Sequence, residues 1–127
     1  MRAFETPLSR AKGLGSAKNG FHHWWQQRIT AVVLVPLMLW LGFGIALQAG
    51  ADLESARAWV AHPVNATLLV TSIIILFYHG AIGVQVVIED YVHTEGLKAA
   101  GILLVHFACF LVAVAGILAV IRIALGS

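Results

Sequence analysis

Three long runs of apolar residues dominate the chain, approximately Ile29 to Ala49, Val64 to Ile88 and Ala99 to Leu125, each separated from the next by a short polar connection. A polar and basic lead-in precedes them. Each run is long enough for the roughly 20 residues that cross a hydrocarbon core of about 30 Å. A helix satisfies all its backbone hydrogen bonds within one segment, so each run predicts a membrane-spanning helix. The expected architecture is all-α and integral to the membrane, with a basic segment over residues 1–28 and a three-helix transmembrane domain over 29–127.

Composition agrees with that pattern. The chain has 127 residues, of which 60% are hydrophobic and only 11% charged, with a mean hydropathy of +0.88. Soluble domains carry about a quarter charged residues. The first 28 residues are too polar, and the first apolar run too long, for a secretory signal peptide. Arg2, Arg10, Lys12, Lys18 and Arg28 precede the first run and Lys98 lies in the second connection, whereas only Arg57 and Arg122 fall on the other side. The positive-inside rule therefore puts the N-terminus and the Asp90–Lys98 connection in the cytoplasm, or in the matrix of a mitochondrion.

Periodicity within the second run singles out one face. At about 100° per residue, Asn65, Ser72, His79, Gly83 and Asp90 return to one stripe of the helix. The other sides are Ile, Leu, Val and Phe. A polar and small-residue seam of this kind predicts protein or a cofactor against it, and the sequence suggests a partner chain. His79 lies about 16 Å below Asp90, well inside the bilayer. An intramembrane histidine is either half of an interhelical hydrogen bond or a metal ligand, with haem iron the natural choice in apolar surroundings. A second ligand is needed for bis-histidine coordination. His106 on the third run is at similar depth, but three helices enclose a haem poorly, which favours a histidine from another subunit. Asp90 and Tyr91 sit where the helix reaches water. Tyr91 reads equally as an interfacial belt residue or as a donor to a quinone carbonyl, with Asp90 orienting a basic partner or passing protons.

Other features are plainer. Gly15 and Gly20 have P-loop spacing, but Phe21 stands where lysine is required, which argues against nucleotide binding. His22, His23, Trp24 and Trp25 read as a headgroup anchor or, alternatively, as ligands. Arg28 is a snorkelling cation or the counter-charge of a carboxylate or propionate. Pro36 predicts a mild kink. Gly42, Ala46 and Gly50 predict a smooth side for a partner helix. Pro63 suits the first turn of the second span. The single cysteine, Cys109, excludes an internal disulfide, a C-x-x-C-H haem attachment and an iron–sulfur cluster built by this chain alone. Electrons must then enter from another subunit.

A helix histidine followed eleven and twelve positions later by Asp-Tyr, as in His79, Asp90 and Tyr91, resembles the small hydrophobic membrane anchor of succinate dehydrogenase, respiratory complex II. The stretch GLGSAKNGFHHWWQQRITAVVLVPL, Gly13 to Leu37, is similar to the lead-in and first helix of alphaproteobacterial anchors. With the three-helix plan, the resemblance covers nearly the whole chain. It implies a non-flavin subunit of a tricarboxylic acid cycle and electron-transport enzyme in a bacterial inner membrane. Its implied partners are a flavoprotein that oxidises succinate, an iron–sulfur protein and a second anchor of cytochrome b type, together with membrane lipid and no nucleic acid. By position the resemblance makes His79 an axial ligand of a b haem shared with the partner anchor. Tyr91 would hydrogen-bond ubiquinone, Asp90 would support the quinone pocket, and Arg28 would lie near a haem propionate. The competing readings are the anchor of a quinol:fumarate reductase and a structural scaffold without cofactor.

Overall fold

A computed structural model describes residues 17–126, and side chains from Gly20 onward. The chain forms four helices in order: α1 (Ala17–Leu47), α2 (Leu53–Ala61), α3 (Pro63–Tyr91) and α4 (Glu95–Ala124). All described residues outside these helices are turns or short connections. Three of the helices are long and apolar enough to cross a membrane, over Gly20–Leu47, Pro63–Tyr91 and Glu95–Ala124. The three spans read from the sequence are therefore present. The expected helical character of the first begins earlier, because α1 already includes His22 to Arg28. A helix does not stop where hydrocarbon stops, so the polar side chains mark depth and not the helix end. Residues 1–16, which hold Arg2, Arg10, Lys12 and the glycines Gly13 and Gly15, lie outside the described part. The α1 helix passes through Pro36 without interruption.

Caps and turns account for the boundaries. After α1, Gly50 takes φ +84°, a left-handed conformation that glycine adopts without steric cost, and closes the turn. Asp52 then caps α2, accepting a 2.9 Å hydrogen bond from the Ser55 N–H. The Ser55 hydroxyl, followed by its backbone N–H, holds the Asp52 carboxyl below its ordinary value of 3.8. His62 caps α3 through Nδ1, which accepts from the Val64 N–H at 3.3 Å, and Pro63 follows in the first turn where its missing N–H is harmless. In the first turn of α4, Glu95 complements the helix dipole and pairs with Lys98 at 3.0 Å.

The second span is central. Helix α3 packs against both α1 and α4, whereas the described backbones of α1 and α4 nowhere come within 8 Å, Cα to Cα, and α2 leans on α3 and α4. Close approach to α4 uses glycine opposite isoleucine: a Cβ on Gly101 would meet Ile88 at 3.5 Å, and one on Gly116 would meet Ile73 at 3.3 Å. The short α2 is seated by stacking of Trp59 on Trp40 of α1, with centroids 5.6 Å apart and planes 19° apart. Gly44 makes room for that indole, since a Cβ there would stand 2.5 Å from it. By contrast, nothing lies within 4 Å of a Cβ on Gly42, and Gly50 belongs to the turn. The smooth side expected from Gly42, Ala46 and Gly50 is thus not a helix-packing stripe within this chain. Few of the described side chains are buried: Leu34, Ala81, Ile82, Val120 and Ser72. The large exposed apolar remainder, from Val32 and Phe43 to Leu103 and Phe110, is the surface of a membrane protein.

Candidate functional site

The polar stripe of α3 faces this chain's own first helix and short helix, not an open side. At its outer end the Asn65 side-chain amide donates to the Trp59 carbonyl of α2 at 2.8 Å. Ser72 is only 2% exposed, and its Oγ is buried without a hydrogen-bond partner among the described residues. Next along the stripe, Nδ1 of the part-buried His79 lies 2.8 Å from Oγ1 of Thr30 on α1. One turn further, Gly83 allows the Gln27 amide to approach, with Nε2 3.3 Å from where a Cβ would sit. The Oε1 of that amide is likewise buried and unpartnered. The seam is therefore a polar interface between α1 and α3. The sequence located this face but assigned its cover to a partner chain; the covering residues Thr30 and Gln27 belong to the preceding span.

At His79 the arrangement leaves Nε2 without a hydrogen bond among the described residues, while Nδ1 is engaged. A neutral imidazole held at one nitrogen and free at the other is a competent ligand for one coordination position of a haem iron. Among the described residues no three His, Cys, Asp or Glu side chains are grouped to hold a metal ion. His79 could therefore supply a single ligand, and no complete metal site is grouped among the described residues. His106 differs in kind: it is exposed, and its Nδ1 meets the Ile102 carbonyl of its own helix at 2.9 Å. With Tyr78 and Cys109 it lines a mostly apolar groove of about 490 Å³ between α3 and α4.

The remaining sequence candidates are not gathered around His79. Asp90 and Tyr91 occupy the last turn of α3, both exposed, with Tyr91 at 79%. That is about three helical turns from His79, or roughly 16 Å at 1.5 Å per residue. The guanidinium of Arg28, exposed on α1, stacks 4.7 Å above the Trp24 ring. This contact is a cation–π pair at the interfacial end of the helix, beside Phe21 and Trp25, whose rings also stack. Thr30 was invisible to sequence reasoning because a threonine in an apolar helix reads as a residue bonded back to its own turn. Its second contact spans 49 positions, which no local period reports.

Comparison with known proteins gives one consistent result. The family model of the succinate dehydrogenase/fumarate reductase transmembrane subunit matches residues 2–113. A succinate dehydrogenase hydrophobic membrane anchor subunit of Rickettsia bellii is 38% identical over 92% of this chain and 94% of its own length. The subunit of the same name from Paracoccus denitrificans is 32% identical over 96% of this chain and 94% of its own. A succinate dehydrogenase membrane anchor subunit of Reclinomonas americana is 33% identical over 70% and 77%. No solved structure matches the chain.

Proposed function

This chain belongs to the succinate dehydrogenase/fumarate reductase transmembrane subunit family, and we propose that it anchors a succinate dehydrogenase to a bacterial inner membrane while contributing to a shared b haem and a ubiquinone-reduction site. The identity with anchor subunits over more than nine-tenths of both chains carries the anchoring role. Its partners are then the flavoprotein, the iron–sulfur protein and a second anchor of cytochrome b type. The balance of Lys18, Arg28 and Lys98 against Arg57 and Arg122 favours a cytoplasmic N-terminus. Both the N-terminal end of α1 and the Asp90-Tyr91 end of α3 then lie on the side where soluble subunits dock.

What supports the haem reading is His79 itself: it lies within the span, is held at Nδ1 by Thr30, and is free at Nε2. A b haem held by His79 would supply a one-electron store. His79 Nε2 would give this chain's bond to the iron, and the partner anchor would supply the other ligand. Arg28, on α1 and stacked over Trp24, would offset a propionate once it leaves that ring. Tyr91 would donate its hydroxyl proton in a hydrogen bond to a quinone carbonyl, and Asp90 would support that pocket. A donor aimed at oxygen that gains negative charge during reduction stabilises the reduced state more than the bound oxidised one, so it acts on turnover.

The test is purification of the assembled complex through this chain, followed by a dithionite-reduced spectrum and two activities. Tyr91→Phe keeps the ring and removes the donor. Ubiquinone reduction is expected to fall about five- to a hundred-fold, equivalent to roughly 1–3 kcal/mol. Succinate oxidation by a dye that takes electrons from the soluble subunits should stay unchanged. Wild-type quinone reduction by an assembled, haem-containing Phe variant would make Tyr91 an interfacial anchor only.

A further inference from the structure

We propose that Thr30 is the positioning residue of His79, fixing which imidazole nitrogen carries the proton and the plane in which the ring is presented. The proposal rests on the haem reading above. It follows from the one proton of the threonine hydroxyl. Thr30 Oγ1 is 2.7 Å from the Gln26 carbonyl oxygen, 3.1 Å from that of Gln27 and 2.8 Å from His79 Nδ1. Two oxygens 2.7 Å apart repel unless a proton lies between them, so the hydroxyl donates within its own helix, to Gln26. Its lone pairs then face His79, and the 2.8 Å contact is a hydrogen bond donated by Nδ1–H. Nε2 is left with the lone pair, the form required of an iron ligand.

The same contacts orient the ring. Thr30 is β-branched, and its bond back to the helix selects one side-chain rotamer on a rigid span. The acceptor is therefore fixed in space before any haem arrives. Because the acceptor is a neutral hydroxyl and not a carboxylate, it sets tautomer and direction without drawing the imidazole toward the anion. His106 also donates from Nδ1, to the carbonyl of its own preceding turn, so its tautomer is fixed as well, but no side chain of another span orients it.

The experiment uses the complete complex carrying Thr30→Val, Thr30→Ala or Thr30→Ser. Readouts are the haem-to-flavin ratio, the haem dissociation rate and the low-temperature electron paramagnetic resonance g-values of the oxidised haem, which report ring orientation. Loss of an outer hydrogen-bond partner to a metal-ligating histidine commonly weakens the metal site by about ten- to a hundred-fold. Valine and alanine should weaken haem retention on that scale and shift the g-values, and serine should restore both. Alanine, a strong helix former, gives the reading if the valine chain does not assemble. Wild-type retention and g-values in both the valine and alanine variants, or a serine variant as defective as valine, would overturn the proposal while leaving His79 as ligand. A wild-type spectrum in His79→Ala would instead remove the haem reading and the proposal with it.

Discussion

The two faces of α3 are built on opposite rules. Toward α1 it presents His79 to Thr30 and Gly83 to Gln27, and along that seam two buried atoms, Ser72 Oγ and Gln27 Oε1, have no hydrogen-bond partner among the described residues. Toward α4 it presents Ile73 and Ile88 to Gly116 and Gly101, with side chains resting on bare backbone. In lipid there is no hydrophobic gain from bringing helices together, because lipid tails are as apolar as leucine. Dispersion and close fit must hold the second face, and hydrogen bonds are available to the first. The contrast teaches that one helix separates the tasks: one face fastens the fold and the other tolerates imperfect polar pairing in order to hold a chemically useful group.

The largest effect should come from exchanging the two intramembrane histidines for alanine. His79→Ala removes the proposed ligand on the polar face and should abolish the b-type spectrum of the purified complex. His106→Ala, on the α4 side and bonded only to its own helix, should leave that spectrum intact. The reverse result would transfer the chemistry to the apolar side and end the contrast.

Close fit is tested next, with thermal melting of the purified complex as the measurement. Gly44→Ala drives a Cβ to 2.5 Å from the rigid Trp59 indole, and should destabilise by about 1–3 kcal/mol. At Gly116 the added methyl meets the flexible end of Ile73 at 3.3 Å, so Gly116→Ala should lie within about 1 kcal/mol of wild type. Equal losses would mean that rigidity of the neighbour does not matter.

Ser72→Ala probes the tolerance of the polar face. Removing a buried hydroxyl that has no partner among the described residues should be neutral, or stabilising by up to about 2 kcal/mol, in the same melt. A marked loss of stability would show that Ser72 is satisfied in the assembled complex.

The smallest effect lies outside the membrane. Asp52 is acidified by its bond to Ser55, so its cap strengthens folding at pH values above the ordinary 3.8 and is lost as pH falls through the lower folded value. The melting difference between wild type and Asp52→Ala should therefore shrink below that pH, while Asp52→Asn, which still caps, should track wild type at neutral pH.

Much of this architecture was legible because a membrane imposes a long, simple code. Apolar length gave three spans, Pro63 marked the start of α3, and a seven-residue recurrence placed Ser72 and His79 on one face. Helix α2 escaped because it is short, although Asp52 ahead of Leu53, Ala56 and Trp59 carries a cap and an apolar spacing that announce an amphipathic turn or two. Gly44 and Gly42 look alike in sequence, and only the third dimension separates the one beneath an indole from the one beneath nothing. The hydrogen bond of Thr30 joins two spans, so it depends on how the helices are rotated against each other, a quantity that periodicity within either helix does not contain.

The separation of the described backbones of α1 and α4 also bears on how the protein is made. Each span that leaves the ribosome finds its docking surface on the one inserted just before it. The second docks on the first, the third docks on the second, and none must wait for or search back to an earlier segment. Contacts between neighbours in sequence form fast and with little loop-closure cost. The Thr30–His79 bond can thus form as soon as the second span enters the bilayer, before the third is synthesised, which leaves the imidazole already oriented while the chain is still being born.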